Sequence, residues 1–363
     1  MPRPLPENPY PPDSLHFRAY NRCLELESPA ENSSNEGSGL KFSLELCGRI
    51  LGYMMLEAPT SEGCDNVQKE IDSLETDEAL RDLARFYATY FLRLCNITLC
   101  ITVRKAKGPA PGSSSHPSRN SFDDAEETIM FLMEEAPKSN SALKQLARKR
   151  DNYRCVVTGA YDGGTLQKER KSDPTFEPPA VPQFTQVAHI FPDSSNQGLV
   201  GPDGSASKKA EYSATAWAVV ERFGLVDVLA ESLNGPDIHR VENVLTMSLN
   251  AHELFDRLQL WFEATDVPNT YNLCSNDEAN FGFLYPLKSR QVTLTSTDQM
   301  IPVPNSHYLK IHAACAKVAH LSGAAEYLET ILNESEERPV LASDGGSADM
   351  LSFLLARTVV AAH

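Results

Sequence analysis

Two short segments built around histidines constrain this chain more than its composition does. VPQFTQVAHIFP (181–192) reads as a strand that stops at a proline, with His189 near its end. ENVLTMSLNAHELFDRLQLWFEA (242–264) reads as a strand or turn, then a helix, then a strand. Its helix carries His252 and Asp256 four residues apart, hence on one face. Upstream, SALKQLARKRDNYRCVVTG (141–159) joins a basic helix to a short β run. Two strands and a helix around one point can place an imidazole and a metal ion on opposite sides of a phosphodiester.

Composition narrows the setting. The chain has 363 residues and a net charge of −16, with 41% hydrophobic and 23% charged residues, enough apolar content for a core and too much for wholesale disorder. A field of that sign repels phosphate, so any nucleic-acid role has to rest on a local site. No apolar run approaches the ~20 residues of a spanning helix. Phe91 to Val103 is broken by Arg93 and Asn96, and Leu351 to Ala362 by Arg357. The Pro-rich start, MPRPLPENPYPPDS, lacks the apolar centre of a signal peptide. Eight cysteines without a CxxC pair exclude a zinc ribbon and a disulfide framework. The expectation is an intracellular protein of nucleus or cytoplasm, with no membrane segment.

Along the chain, residues 1–105 read as a mainly helical N-terminal region. LHFRAYNRCLELES (15–28) fits a strand or a short helix, a helical pattern begins at Leu40, and another follows Thr76-Asp77. Residues 29–39 and 106–122 read as a loop and a Gly/Pro/Ser linker. From 123 to 335 follow an acidic helix, the basic helix, a loop over 162–183, the two histidine segments and a helix over 214–225. NFGFLYPLKSRQVTLTS (280–296) suggests two more strands, and 308–334 a helix interrupted by glycine. Residues 336–363 form a tail.

Phosphodiester hydrolysis needs a base that takes a proton from water near neutral pH, a role suited to histidine. It also needs a cation to stabilise charge on the phosphate, held by His, Asn or carboxylate ligands. The segments RCVVTG, AHIFP, ENVLTM and HELFD, in this order over about 143–264, resemble the HNH endonuclease superfamily with its ββα-metal fold. They are closest to the branch written RCxVTG, AHIxP, NxLxL and HxxFD. IHAACAKVAHLSGAAEYL (311–328) is similar to a fungal expansion of proteins that carry this domain. The resemblance implies an α+β protein with an HNH core, large insertions, an α-helical region before it and helices after it. It implies a hydrolase with His189 as general base and His252 as metal ligand. Asn243 either ligates the metal or pins the loop presenting His189, and Asp256 is a further candidate ligand. The implied cofactor is a divalent ion, Mg or Mn first and Zn as the alternative. The implied partner is nucleic acid, DNA ahead of RNA, and protein partners are not indicated.

Ala188 stands where many such enzymes have an Asp or His ligand just before the base. Asp256, Asp193 or water would then complete the shell, and a catalytically silent binding or regulatory module is the rival reading. Residues 144–171 hold eight Lys/Arg against three Asp/Glu, with Lys149, Arg150 and Arg154 as candidate phosphate contacts beside the site. Cys155 reads as a small buried apolar residue, and Thr158-Gly159 as the turn that ends its strand.

Overall fold

The fold comes from a computed structural model, which describes residues 2–28, 42–94, 122–136, 139–191 and 238–337. Helices α1 (Leu15–Glu27), α2 (Leu44–Leu56), α3 (Ser61–Asp72) and α4 (Asp77–Leu94) come first. Ser14, Ser43 and Thr60 cap the first three, each side-chain oxygen accepting from a backbone N–H of the opening turn. The segment open between strand and helix is therefore the helix α1. The α3 segment, SEGCDNVQKEID, has too few apolar residues to announce itself; only Val67 and Ile71 of its aliphatic side chains enter the core. A Cβ added at Gly48 of α2 would lie 2.5 Å from the Cys23 carbonyl oxygen, so α1 and α2 touch backbone to backbone.

The remaining elements are α5 (Phe122–Glu135), α6 (Asn140–Arg150), β1 (Tyr161–Asp162), α7 (Gly163–Ser172), β2 (Pro182–Gln183) and β3 (Thr185–His189). After them come β4 (Val244–Ser248), α8 (Leu249–Asp256), β5 (Leu260–Ala264), β6 (Thr270–Ser275), β7 (Gln291–Thr293), α9 (Ser306–Ser322) and α10 (Ala324–Glu337). Strands β3 and β4 pair antiparallel, Thr185 opposite Ser248 and His189 opposite Val244, and α8 follows directly. Strands β5, β6 and β7 form an antiparallel meander, and β1 and β2 a short parallel pair. The protein is α+β, with helices on both sequence sides of the β region.

One apolar core joins these parts. Ile50, Leu51 and Met54 of α2 and Phe91 of α4 share it with Ile311, Cys315 and Val318 of α9 and with Ala188, Phe255 and Phe262. A second cluster packs Leu143, Leu146 and Ala147 of α6 against Val187, Val241 and Val244. Neighbouring residues of β3 thus enter different cores: Val187 meets α6, and Ala188 joins the main core. Ala188 is completely buried.

Three expectations need correction. RCVVTG is not a strand: Cys155 N–H donates to Ala160 O, Gly159 N–H donates to Cys155 O, and Gly159 sits at φ +72. The chain reverses tightly there, leaving Arg154 an isolated bridge to Tyr161 and Val156 N–H a bond to Thr246 O at the side of β4. The loop expected over 162–183 contains α7, which starts because the Asp162 carboxylate accepts from both the Thr165 N–H and the Thr165 hydroxyl at 2.8 Å. Residues 280–296 hold the end of a 3-10 turn (Glu278–Phe283) and only one strand, whereas β6 just before it was not foreseen. The glycine break is Gly323, at φ +88 between α9 and α10. The loop at 29–39, nearly all of the linker and tail, most of Phe91 to Val103, Leu351 to Ala362 and the expected helix over 214–225 lie outside the described residues. No described helix is long and apolar enough to cross a membrane.

Arg150, expected to face phosphate, is instead the largest fully buried side chain. Its Nε and Nη2 pair with the two Asp151 carboxylate oxygens at 2.7 and 2.9 Å. Its Nη1 and Nη2 donate to Val241 O and Val244 O at 2.7 and 2.8 Å, and Asp151 accepts from Thr246 N–H at 3.0 Å. A buried guanidinium is tolerable only when paired and hydrogen-bonded in this way. Arg150→Met frees a buried carboxylate and two carbonyls, so the expected loss is about 3–5 kcal/mol of stability, read by urea denaturation. A loss under about 1 kcal/mol would show that the clamp is not structural.

Candidate active site

The site begins where β3 runs out. Past His189, Ile190 N–H donates to Asn243 O at 2.8 Å and Phe191 N–H to Asn243 Oδ1 at 3.0 Å. The Asn243 amide in turn donates to Phe191 O at 3.0 Å and to Ile238 O at 2.9 Å. Asn243 is fully buried, and both amide hydrogens and one lone pair are committed to backbone. Of its two expected roles, this geometry is that of a pin and leaves no exposed atom for a metal. The same side chain fixes Phe191, two residues past His189, and Ile238, next to His239. The two rings consequently meet, with His189 Nε2 3.2 Å from His239 Nδ1 and ring centres 5.3 Å apart.

Helix α8 supplies the other half. Ala251, Leu254 and Phe255 are buried, which leaves His252 and Asp256 on its flank. His252 Nδ1 lies 2.9 Å from Gln186 Oε1 of β3, and Nε2 lies 3.2 Å from Asp256 Oδ2. Arg257 pairs with Glu253 one turn back, leaving Asp256 to the imidazole. The two halves meet through β3, whose Gln186 contacts His252 three residues before His189. Burial, then the charges of His239, His252 and Lys144, push His189 down to about 3. At neutral pH the His189 ring is neutral and keeps a lone pair.

The other sequence candidates fall elsewhere. Lys149 Nζ lies 3.5 Å from Asp298, and Arg154 is half-buried on its bridge to Tyr161. Arg150 is internal, so of the three only Lys149 and Arg154 reach the surface. Lys144, exposed on α6, is the cation that His189 senses. Cys155 is buried, with its sulfur accepting from Thr158 N–H at 3.3 Å, and Thr158 Oγ1 accepts from Ala160 N–H, so both brace the Gly159 reversal. Asp193 lies outside the described residues. His239 was not anticipated; its one sequence signal is its place four residues before Asn243.

Whether these residues suit a divalent ion can be tested on distances. Two donors each ~2.1 Å from one ion lie roughly 3.0–3.4 Å apart. His252 Nε2 and Asp256 Oδ2, at 3.2 Å, match that span on the half-buried flank of one helix. Among the described residues, no group of three or more His, Cys, Asp or Glu has ligand geometry. The pair alone supplies two donors, so an ion held there would keep most of its coordination sphere for water and substrate oxygens. A separate cleft of about 460 Å³ lies between Leu56–Pro59 and β5, β6 and α9, around Lys317, and none of these imidazoles lines it.

Residues 155–263 match a protein-family model described as HNH endonuclease. The matched segment contains β3, β4, α8, His189, His239, Asn243 and His252. This segment is thus similar to an HNH endonuclease domain, which supports a nuclease-type function in general. No curated protein and no solved structure matches the chain.

Two histidines outside that segment brace it. His312 of α9 stacks on Phe255, ring centres 3.8 Å apart, and its Nε2 lies 3.2 Å from Phe255 O. His320 Nε2 lies 3.1 Å from Leu258 O just past the end of α8. Burial pushes these groups down to about 3 and about 4. Because their folded values lie below the ordinary ~6.5, their contribution is whole above about 6.5 and is lost as pH falls towards 3–4. The melting temperature should therefore drop between pH 7 and pH 5. His320→Gln, which keeps an N–H for Leu258 O without titrating, should flatten that drop; an identical pH profile would refute the assignment.

Proposed function

We propose that this domain is a metal-dependent endonuclease that hydrolyses phosphodiester bonds of nucleic acid, with DNA the first substrate to test. One observation carries the reading: the His189 imidazole, held against His239, ends the strand whose Gln186 contacts His252 of the His252–Asp256 pair. When His189 Nε2–H donates to His239 Nδ1, His189 Nδ1 is left with the lone pair, the form needed to take a proton from the attacking water. His239 thereby acts as a positioning residue that selects the tautomer. A base near 3 is weak in the free protein, but a bound phosphate beside the ring favours its charged form and raises it. Lys144, exposed beside His189, offers a contact for a phosphate oxygen. His252 and Asp256 would hold the divalent ion, Mg or Mn with Zn as the alternative, which stabilises charge on the scissile phosphate when bound.

The rival, a silent module, is favoured by Ala188, whose buried position supplies no ligand. Plasmid nicking in Mg²⁺ or Mn²⁺ separates the two. His189→Ala should lower nicking by at least about a hundredfold, the scale of general-base catalysis, with the melting temperature unchanged. His239→Ala should also lower nicking, and His239→Gln, which retains an acceptor, should recover part of it. Nicking unaltered in His189→Ala would remove that residue from the mechanism. No nicking by the parent chain, with no calorimetric binding of either ion, would leave the silent module.

A further inference from the structure

Four large apolar side chains stand in solvent next to the His252 flank. Phe184, Leu249, Phe283 and Tyr285 are exposed by 58%, 47%, 60% and 68%. Isolated exposed apolar residues are ordinary, but these belong to segments tied to one another. Gln183 Nε2 donates to Tyr285 O at 2.7 Å, and Asn250 Nδ2 donates to Phe283 O at 2.9 Å. The 283–285 backbone is thus fastened to β2 on one side and to α8 on the other. Phe184 follows Gln183 directly, and Leu249 follows Ser248, the partner of Thr185. The Phe184 ring edge would lie 3.4 Å from a Cβ on Gly163, so it rests over the start of α7. Among the described residues, none of the three rings stacks on another aromatic.

The patch is continuous with the site. Gln186, two residues after Phe184, contacts His252 Nδ1, and Leu249 precedes His252 by three residues on α8. The same segments carry cations: Lys168 and Lys171 of α7, the helix whose start Phe184 covers, and Lys288, three residues after Tyr285, are exposed in a chain of net charge −16. Open aromatic faces with a local cationic rim are what an unpaired nucleic-acid strand requires, because its bases offer π-faces that a duplex keeps stacked inside. From Phe184 to Gln186, which shares its face of the strand and contacts His252, is two extended residues, about 7 Å, a span of about two nucleotides at about 3.4 Å each.

We propose that Phe184, Phe283 and Tyr285 form a stacking platform for unpaired bases, which makes this domain prefer single-stranded nucleic acid near the cleavage position. The proposal rests on the nuclease reading above and names the strand state of its substrate. The test is fluorescence anisotropy of the full chain with a labelled 20-nucleotide oligothymidylate and with a 20-base-pair duplex, in EDTA so that nothing is cleaved. The parent chain should bind the single strand more tightly than the duplex. Phe184→Ala, Phe283→Ala and Tyr285→Ala should each weaken single-strand binding about fivefold or more, with duplex binding nearly unchanged. Tyr285→Trp should restore it, and circular dichroism should show all variants folded. Equal affinities of parent and variants would overturn the platform, while metal-dependent nicking lost in His189→Ala would leave the nuclease reading standing. Equal losses for single strand and duplex would overturn the strand preference. Variants that change only the oligomeric state would show the patch to be a protein contact, overturning the proposal. Binding of neither oligonucleotide, with no nicking, would overturn both readings.

Discussion

The buried Arg150–Asp151 pair is the constraint on which the rest of the β region hangs. A guanidinium removed from water must satisfy its donors inside the protein, and here they reach Val241 O, Val244 O and the neighbouring carboxylate. Asp151 then reaches the Thr246 N–H. The end of α6 is thereby locked to the stretch that opens β4, and β4 brings Asn243 to its work. A helix end, a 3-10 turn and a strand are held in one register by a single pair of adjacent residues.

From this lock the site follows by short steps. Asn243 sits one residue before β4 and fastens 190–191 to 238, which brings two imidazoles together from distant parts of the chain. Strand β3 then lies between α6 and the main core, so only its end and flank stay accessible. His189 marks the end and Gln186 the flank, where it meets His252. The chain as a whole carries a charge of −16, which repels phosphate, so any contact to it has to be local.

The histidine segments were legible because their patterns are strong. An alternating run closed by proline and a helix with His252 and Asp256 on one face can be read from spacing alone. The α+β class and the HNH resemblance follow from the order of these segments. What escaped had physical causes. Helix α7 is polar, and its start depends on a single capping carboxylate rather than on periodicity. RCVVTG has strand-like residues, yet Gly159 with its positive φ turns the chain before a ladder can form. Arg150 sits in a run of basic residues that looks solvated, and only three-dimensional placement reveals that it points inward. His239 joins the site through the bond of Asn243 to a backbone carbonyl, a relation that leaves no mark on composition or period.

The contacts of His312 and His320 with the end of α8 reach beyond the family match. Helix α9 shares its apolar core with α2 and α4 on the one hand and holds the α8 terminus on the other. The ββα unit is therefore not a freestanding module bolted onto a helical appendage. Cut out at residues 155 and 263, it would lose the imidazoles that seat its own helix, and the flank bearing His252 would be released from its mooring. The helical scaffold on either side in sequence is part of what seats α8, and the segment inherited without it would be expected to hold His252 and Asp256 loosely.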